Sequence, residues 1–221
     1  IGLVWHIQTN QISLKNIVSG KFSENPERSQ YLKIAIIMLI SITCLSFVFQ
    51  ILQTSLPKTM DIRLSANMDL STSEIGYIVS AIYVVSGLMN YIGGILADKY
   101  SEKIIYAIGI IGQGCLLLLI ISLSNYWLIA ICLIIVAFNS SILPAENLLL
   151  ARFAPEKYQS LVYGIKFIIS FSVGPIALIL ISKSYELTNE FSYLYLASGV
   201  IMLLLFMVVL TLPVKKQALA T

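Results

Sequence analysis

A lysine and a glutamate stand inside runs of otherwise apolar residues, and each could do chemistry its neighbours cannot. Lys166 belongs to the series Gln159, Tyr163, Lys166, Ser170 and Gly174, whose spacings of three and four put polar or small residues on one helical face. An ammonium on such a face can bind an anionic solute or respond to a proton; the same position suits a lysine that snorkels out of an apolar segment. Glu146 follows Pro144 and shares a face with Asn139. Its carboxylate can exchange a proton, or serve as structural partner to Lys99, Lys103 or Arg152. Gln50 and Gln53 continue a stripe with Thr43 and Ser46 that ends at Pro57, and such amides bind a polar solute without charge or hydrogen-bond a neighbouring helix. Tyr77, Ser80, Gly87, Asn90 and Gly94 form a second small and polar stripe, suited to packing.

The elements that carry these residues follow from composition. Apolar residues make up 58% of the 221 and charged residues 11%, with a mean hydropathy of +0.89, whereas soluble domains carry roughly 25% charge. The chain is therefore a membrane protein. A spanning helix needs about 20 mainly apolar residues, since lipid offers backbone amides no partner. Six segments are long enough: Ile34–Leu56, Ile75–Ala97, Ile104–Leu123, Tyr126–Leu143, Leu161–Ile181 and Phe191–Leu212. Ile1–Ile7 is too short to span and reads as the end of a preceding helix. Gln8–Lys33 reads as a polar linker, partly an interfacial helix, and residues 213–221 as a tail.

Basic residues orient the spans. Lys15, Lys21, Arg28, Lys33, Lys99, Lys103, Arg152, Lys157, Lys215 and Lys216 fall on one side; Lys58, Arg63 and Lys183 fall on the other, and Lys166 completes the 14. The richer side is expected to be cytoplasmic, which places the C-terminus there. No basic face interleaved with aromatics suggests nucleic acid. No HExxH, ligand-spaced His or carboxylate cluster, or Gly-rich phosphate loop suggests an enzyme, a metal or a cofactor. Cys44, Cys115 and Cys132 lie in different apolar segments and read as buried small hydrophobes. His6, in the N-terminal stub, reads as an interfacial residue ahead of a proton relay. Ser71-Thr-Ser-Glu74 reads as a helix capping box.

The turn "GGILADKYSEKI", residues 93–104, crowds Asp98, Lys99, Glu102 and Lys103 between two apolar spans. Its physics is a tight hairpin. Gly93, Gly94 and Ala97 permit close helix approach, Asp98 can serve a helix N-terminus, and the lysines can reach carboxylates or headgroups. Its order resembles the Gly-x-Leu-Ala-Asp-(Arg/Lys)-x-Gly-(Arg/Lys)-(Arg/Lys) signature of the major facilitator superfamily. Gly94, Leu96, Asp98, Lys99 and Lys103 match, while Ser101 and Glu102 depart. The stretch 154–175 is similar to that family's approach to its eleventh helix through Pro155, Glu156, Gly164, Gly174 and Pro175, with Gln159 where Arg is usual.

The resemblance implies an all-α membrane protein, six transmembrane helices forming the C-terminal half of a major facilitator-like fold, built from two inverted three-helix repeats. In the family the first and fourth helices of this half line the cavity, the second and fifth face the other half, and the third and sixth lie outside. It further implies secondary transport of a small organic solute by alternating access, proton coupling, a missing N-terminal six-helix half as partner, and a bacterial inner membrane as location. Lys166, Glu146, Gln50, Gln53, Asn139 and Tyr163 are the candidates for solute binding or coupling; Gly94, Asp98, Lys99 and Lys103 form the gating motif. A non-transporting scaffold or receptor with the same fold is the alternative.

Overall fold

A computed structural model describes residues 26–68, 70–154 and 158–212. The stub 1–7, residues 8–25 of the linker, Pro155, Glu156 and the tail 213–221 lie outside the described residues. The chain divides into two units, up to Lys33 and from Ile34 onward; what is described of the first is the opening helical turns from Pro26.

Six helices follow in order: α1 Pro26–Met68, α2 Thr72–Lys99, α3 Glu102–Leu119, α4 Tyr126–Phe153, α5 Gln159–Thr188 and α6 Ser192–Leu210. A 3₁₀ turn, Ile120–Ser122, extends α3. Among the described residues six helices are long and apolar enough to cross a membrane, as the composition requires. No strand occurs among them.

The helices outrun the apolar segments read from sequence. α1 has 43 residues, of which the membrane-length part, Lys33–Ser65, has 33, about 50 Å at 1.5 Å per residue, against a hydrocarbon core of about 30 Å. Pro57 was expected to end it and does not. Proline removes the amide that would bond the carbonyl four residues back, here Gln53, and the Tyr83 hydroxyl from α2 donates to that carbonyl at 3.1 Å instead. Lys58 and Arg63, expected in a loop, are therefore helical. α4 likewise continues through Pro144 to Phe153 instead of stopping at Leu143, which puts Glu146 inside a helix. α5 starts before Leu161 and runs past Ile181, ending at Asn189 in the left-handed conformation (φ 54°). The capping box stands as read: the Ser71 amide donates to Glu74 Oε2 at 2.8 Å, and the Ser71 hydroxyl accepts from the Glu74 amide.

Packing explains the order. α2 lies along α4, and α3 lies between α4 and α6. A Cβ on Gly93 would stand 2.7 Å from Ser141 Cα, so α2 and α4 approach at backbone distance, the means by which helices associate where lipid supplies no hydrophobic drive. Gly114 and Gly199 do the same for α3 and α6, each Cβ falling within 3.4 Å of the other's carbonyl oxygen. α1 is joined to its neighbours through hydroxyls: Ser41 to Tyr106 of α3 at 2.5 Å, Ser46 to Ser170 of α5 at 2.7 Å, and Ser55 and Thr59 to Tyr195 of α6 at 2.9 and 2.5 Å. Around these run Ile51, Leu56, Met60, Ile110, Leu117 and Ile135, all fully buried. α3 exposes Ile104, Ile108, Cys115 and Leu119 and buries the opposite face. Cys132 is buried and Cys44 partly so, but Cys115 is exposed, contrary to the expectation for all three. Among the described residues Gln113, on the buried face of α3, has no hydrogen-bond partner for either amide atom, and Ser198 of α6 has none for its hydroxyl.

Candidate functional site

Four helices line an open cavity of about 720 Å³. α1 contributes its Leu45–Gln50 stretch, α2 Asn90 to Asp98, α4 Asn139 to Asn147, and α5 Lys166 to Phe171. These segments all lie toward the end of the bundle that carries the 98–103 turn. The walls are largely apolar, with the rings of Phe49, Tyr91, Phe167 and Phe171 among Gln50, Asn90, Asn139 and Asn147. Such a mixture of apolar wall and a few placed polar groups is the usual character of a small-molecule site.

The face read on α5 positions the centre. Gln159 donates to the Ala151 carbonyl at 3.2 Å and Tyr163 to the Asn147 carbonyl at 2.8 Å, both on α4. Ser170 meets Ser46 of α1, and a Cβ on Gly174 would fall 2.7 Å from Gln50 Nε2. Lys166, in the middle of that series, is buried and does not snorkel. Its ammonium donates to Asn147 Oδ1 at 2.6 Å and stands 3.3 Å from Glu146 Oε1. The two charged side chains are only 7% and 3% exposed. Burying both is tolerable because each supplies the other's counter-charge; either alone would cost several kcal/mol.

Glu146 thus pairs with Lys166 and with none of Lys99, Lys103 or Arg152. Arg152 is taken by Glu102, at 2.7 Å, which ties the ends of α3 and α4 together. Lys103 donates to the Leu210 carbonyl at 2.7 Å and to that of Leu212, closing the end of α6; a cation there complements the helix dipole. Lys99 lies 5.7 Å from the Tyr100 ring centroid, within cation–π range. Asp98 has no hydrogen-bond or ionic partner among the described residues; it lines the cavity instead of capping α3. Gly94 also lines the cavity, whereas Lys99 and Lys103 do not.

Of the solute candidates, Lys166, Glu146, Gln50 and Asn139 share the cavity. Gln53 lines a small neighbouring pocket beside Tyr83 and Ser86, and Tyr163 acts on Asn147 from outside the wall. Asn147 and the aromatic wall escaped the sequence reading, and Asn90, read there in a packing stripe, lines the cavity. Asn147 could have been found from its place beside Glu146, one turn from Pro144.

A second charged cluster occupies the opposite end. Arg63, buried near the end of α1, makes two bonds to Glu190, Nε to Oε1 at 3.1 Å and Nη2 to Oε2 at 2.8 Å. It also donates to Ser192 Oγ and to the carbonyls of Ile120 and Leu123. Hydrogen bonding to the Arg63 guanidinium is the main reason the Glu190 carboxyl is held below the usual range, with Ser192 assisting against partial burial.

The sequence profile of the Major Facilitator Superfamily matches residues 31–220. The chain belongs to this superfamily. A comparison with curated proteins gave no match. Members of the superfamily are transporters that bind small molecules and sit in lipid membranes, and six membrane-length helices fit one half of that fold. The stretch 93–104 and the cavity adjoin: Gly94 and Asp98 belong to both.

Proposed function

We propose that this chain is the C-terminal half of a secondary transporter that moves a small organic solute by alternating access, coupled to protons. In this reading the halves are related by an axis along the membrane normal, α1–α3 and α4–α6 are inverted repeats, and the solute lies near the midplane. The cavity between α1, α2, α4 and α5 is this half's share of the solute site. The 98–103 turn, the end of α4 and the C-terminus face the cytoplasm, as the Lys and Arg distribution favours.

The observation that carries the reading is the buried Lys166–Glu146 pair on the cavity wall. Ionisable residues within a membrane are costly and mark solute or proton pathways. The test uses the intact protein in liposomes under an inward proton gradient, bathed in a metabolite mixture, with the accumulated contents identified by mass spectrometry. Accumulation that collapses with the gradient, and is abolished in Lys166→Gln and Glu146→Gln proteins that remain folded, supports the proposal. Unchanged flux in both variants would demote the pair to a structural role.

A further inference from the structure

Three ion pairs between elements stand out among the described residues, and they are not built alike. Arg63 and Glu190 are joined by two hydrogen bonds at 3.1 and 2.8 Å, and Arg152 meets Glu102 at 2.7 Å. Such contacts are made to persist. Lys166 instead gives its short bond to the neutral Asn147 amide and holds Glu146 Oε1 at 3.3 Å, and that buried oxygen has no other polar partner among the described residues. Glu146 is therefore held at a longer distance than the other two carboxylates. It is also the one that opens onto the cavity.

We propose that the solute carries an anionic group that takes the place of Glu146 beside Lys166, and that one proton binds Glu146 Oε1 as it does so. This rests on the cavity being the solute site. The exchange balances: the empty pair is neutral, and an anion on Lys166 with a protonated Glu146 is neutral again. The ammonium never loses a counter-charge. The displaced carboxylate, left without its counter-charge among buried side chains, is relieved of that charge by a proton drawn from water.

The surrounding groups allow this. On its own helix Glu146 has the neutral Asn139 and Asn147, and from α1 come Ser46 and Gln50. From α3, Tyr106 lies within electrostatic reach, its hydroxyl engaged by Ser41, with Cys44 of α1 nearby. From α2 comes Asp98, exposed at the helix end. Lys166 is the one cation on the described wall. Phe49, Tyr91, Phe167 and Phe171 supply an apolar, aromatic wall, so the anionic group is carried on an apolar body.

Three matched probes test the inference on the intact purified protein: benzoate, benzamide and benzylamine. Binding is measured by calorimetry between pH 6 and 8 in buffers of different ionisation enthalpy, which counts protons. Benzoate is expected to bind in preference to the other two, with uptake of up to about one proton and an affinity rising as much as about tenfold per pH unit of acidification. Glu146→Gln should bind benzoate without proton uptake, and Lys166→Gln combined with Glu146→Gln, which strands no charge, should not bind it. Preference for benzylamine or benzamide, no benzoate binding, or benzoate binding without proton uptake in the unaltered protein overturns the inference. Solute flux in liposomes separates the two levels. Flux with no benzoate binding removes this inference alone, whereas proton-linked benzoate binding with no flux of any solute removes the transport reading and keeps the site.

Discussion

Gln113 and Glu190 set opposite expectations for polar side chains. Gln113 is fully buried in α3 with neither amide atom paired, a condition that costs about 1–3 kcal/mol. Gln113→Met keeps the volume and removes the orphaned groups, so it should raise the midpoint of thermal unfolding in detergent; a lowered midpoint would mean the amide has a partner, such as ordered water. Glu190 is paired and partly exposed. Its carboxyl is held below the ordinary value of 4.5 by Arg63. A carboxylate with a depressed folded pKa contributes stability that is present above the unfolded value and is lost as pH falls through the folded one. The thermal midpoint of the unaltered protein should thus exceed that of Glu190→Gln at pH 7 and 5, and the two should converge in stronger acid. A gap independent of pH would show that charge is not the cause. Neither residue was legible in the sequence: Gln113 lies in the third span, which the resemblance places on the outside, and Glu190 is 127 residues from Arg63.

At the scale of elements, the length of α1 depends on one replaced hydrogen bond. With Pro57 present, Tyr83→Phe deprives the Gln53 carbonyl of its donor and should cost about 0.5–1.5 kcal/mol. With Pro57→Ala the helix amide returns, so the same Tyr83→Phe change should cost less; equal costs in the two backgrounds would show that the hydroxyl does not substitute for the amide. Spacing between helices has its own test. Gly93→Ala drives a Cβ against the Ser141 backbone, whereas Gly94→Ala meets only Pro144 Cβ at 3.9 Å. The first should destabilise by about 1–3 kcal/mol and the second hardly at all, as measured by heat-induced loss of monodisperse protein. The α5 face from Gln159 to Gly174 was legible because helical period survives in sequence. The ends of α1 and α4 were not, because a proline reads as a stop while the group that compensates for it lies on another helix.

At the scale of the whole molecule, α2 and α5 leave large apolar side chains exposed, Tyr77, Val84 and Leu88 on one and Leu161, Ile168 and Ile176 on the other. In the proposed reading the other half covers them. The proposed orientation is checked in a protein lacking Cys44, Cys115 and Cys132. Tyr100→Cys, at the end of α2, should react with a membrane-impermeant maleimide only in inverted vesicles. Leu187→Cys, at the far end of α5, should react only in intact cells. The reverse pattern would invert the topology. Six spans and their family were legible because composition and one turn motif are local properties. The cavity was not, since its walls come from four helices whose register is set by packing.

The hydroxyl pairs that hold α1 carry a mechanical consequence. Each partner in Ser41–Tyr106 and Ser46–Ser170 can give or accept the shared hydrogen, so these contacts can reverse their polarity by rotating two C–O bonds, whereas Thr59 spends its hydrogen on the Ser55 carbonyl and accepts from Tyr195. No ion is stranded when α1 slides or turns against α3, α5 or α6. α1 is thus joined to its neighbours by neutral contacts along the stretch that lines the cavity and by the charged Arg63–Glu190 clasp near its far end.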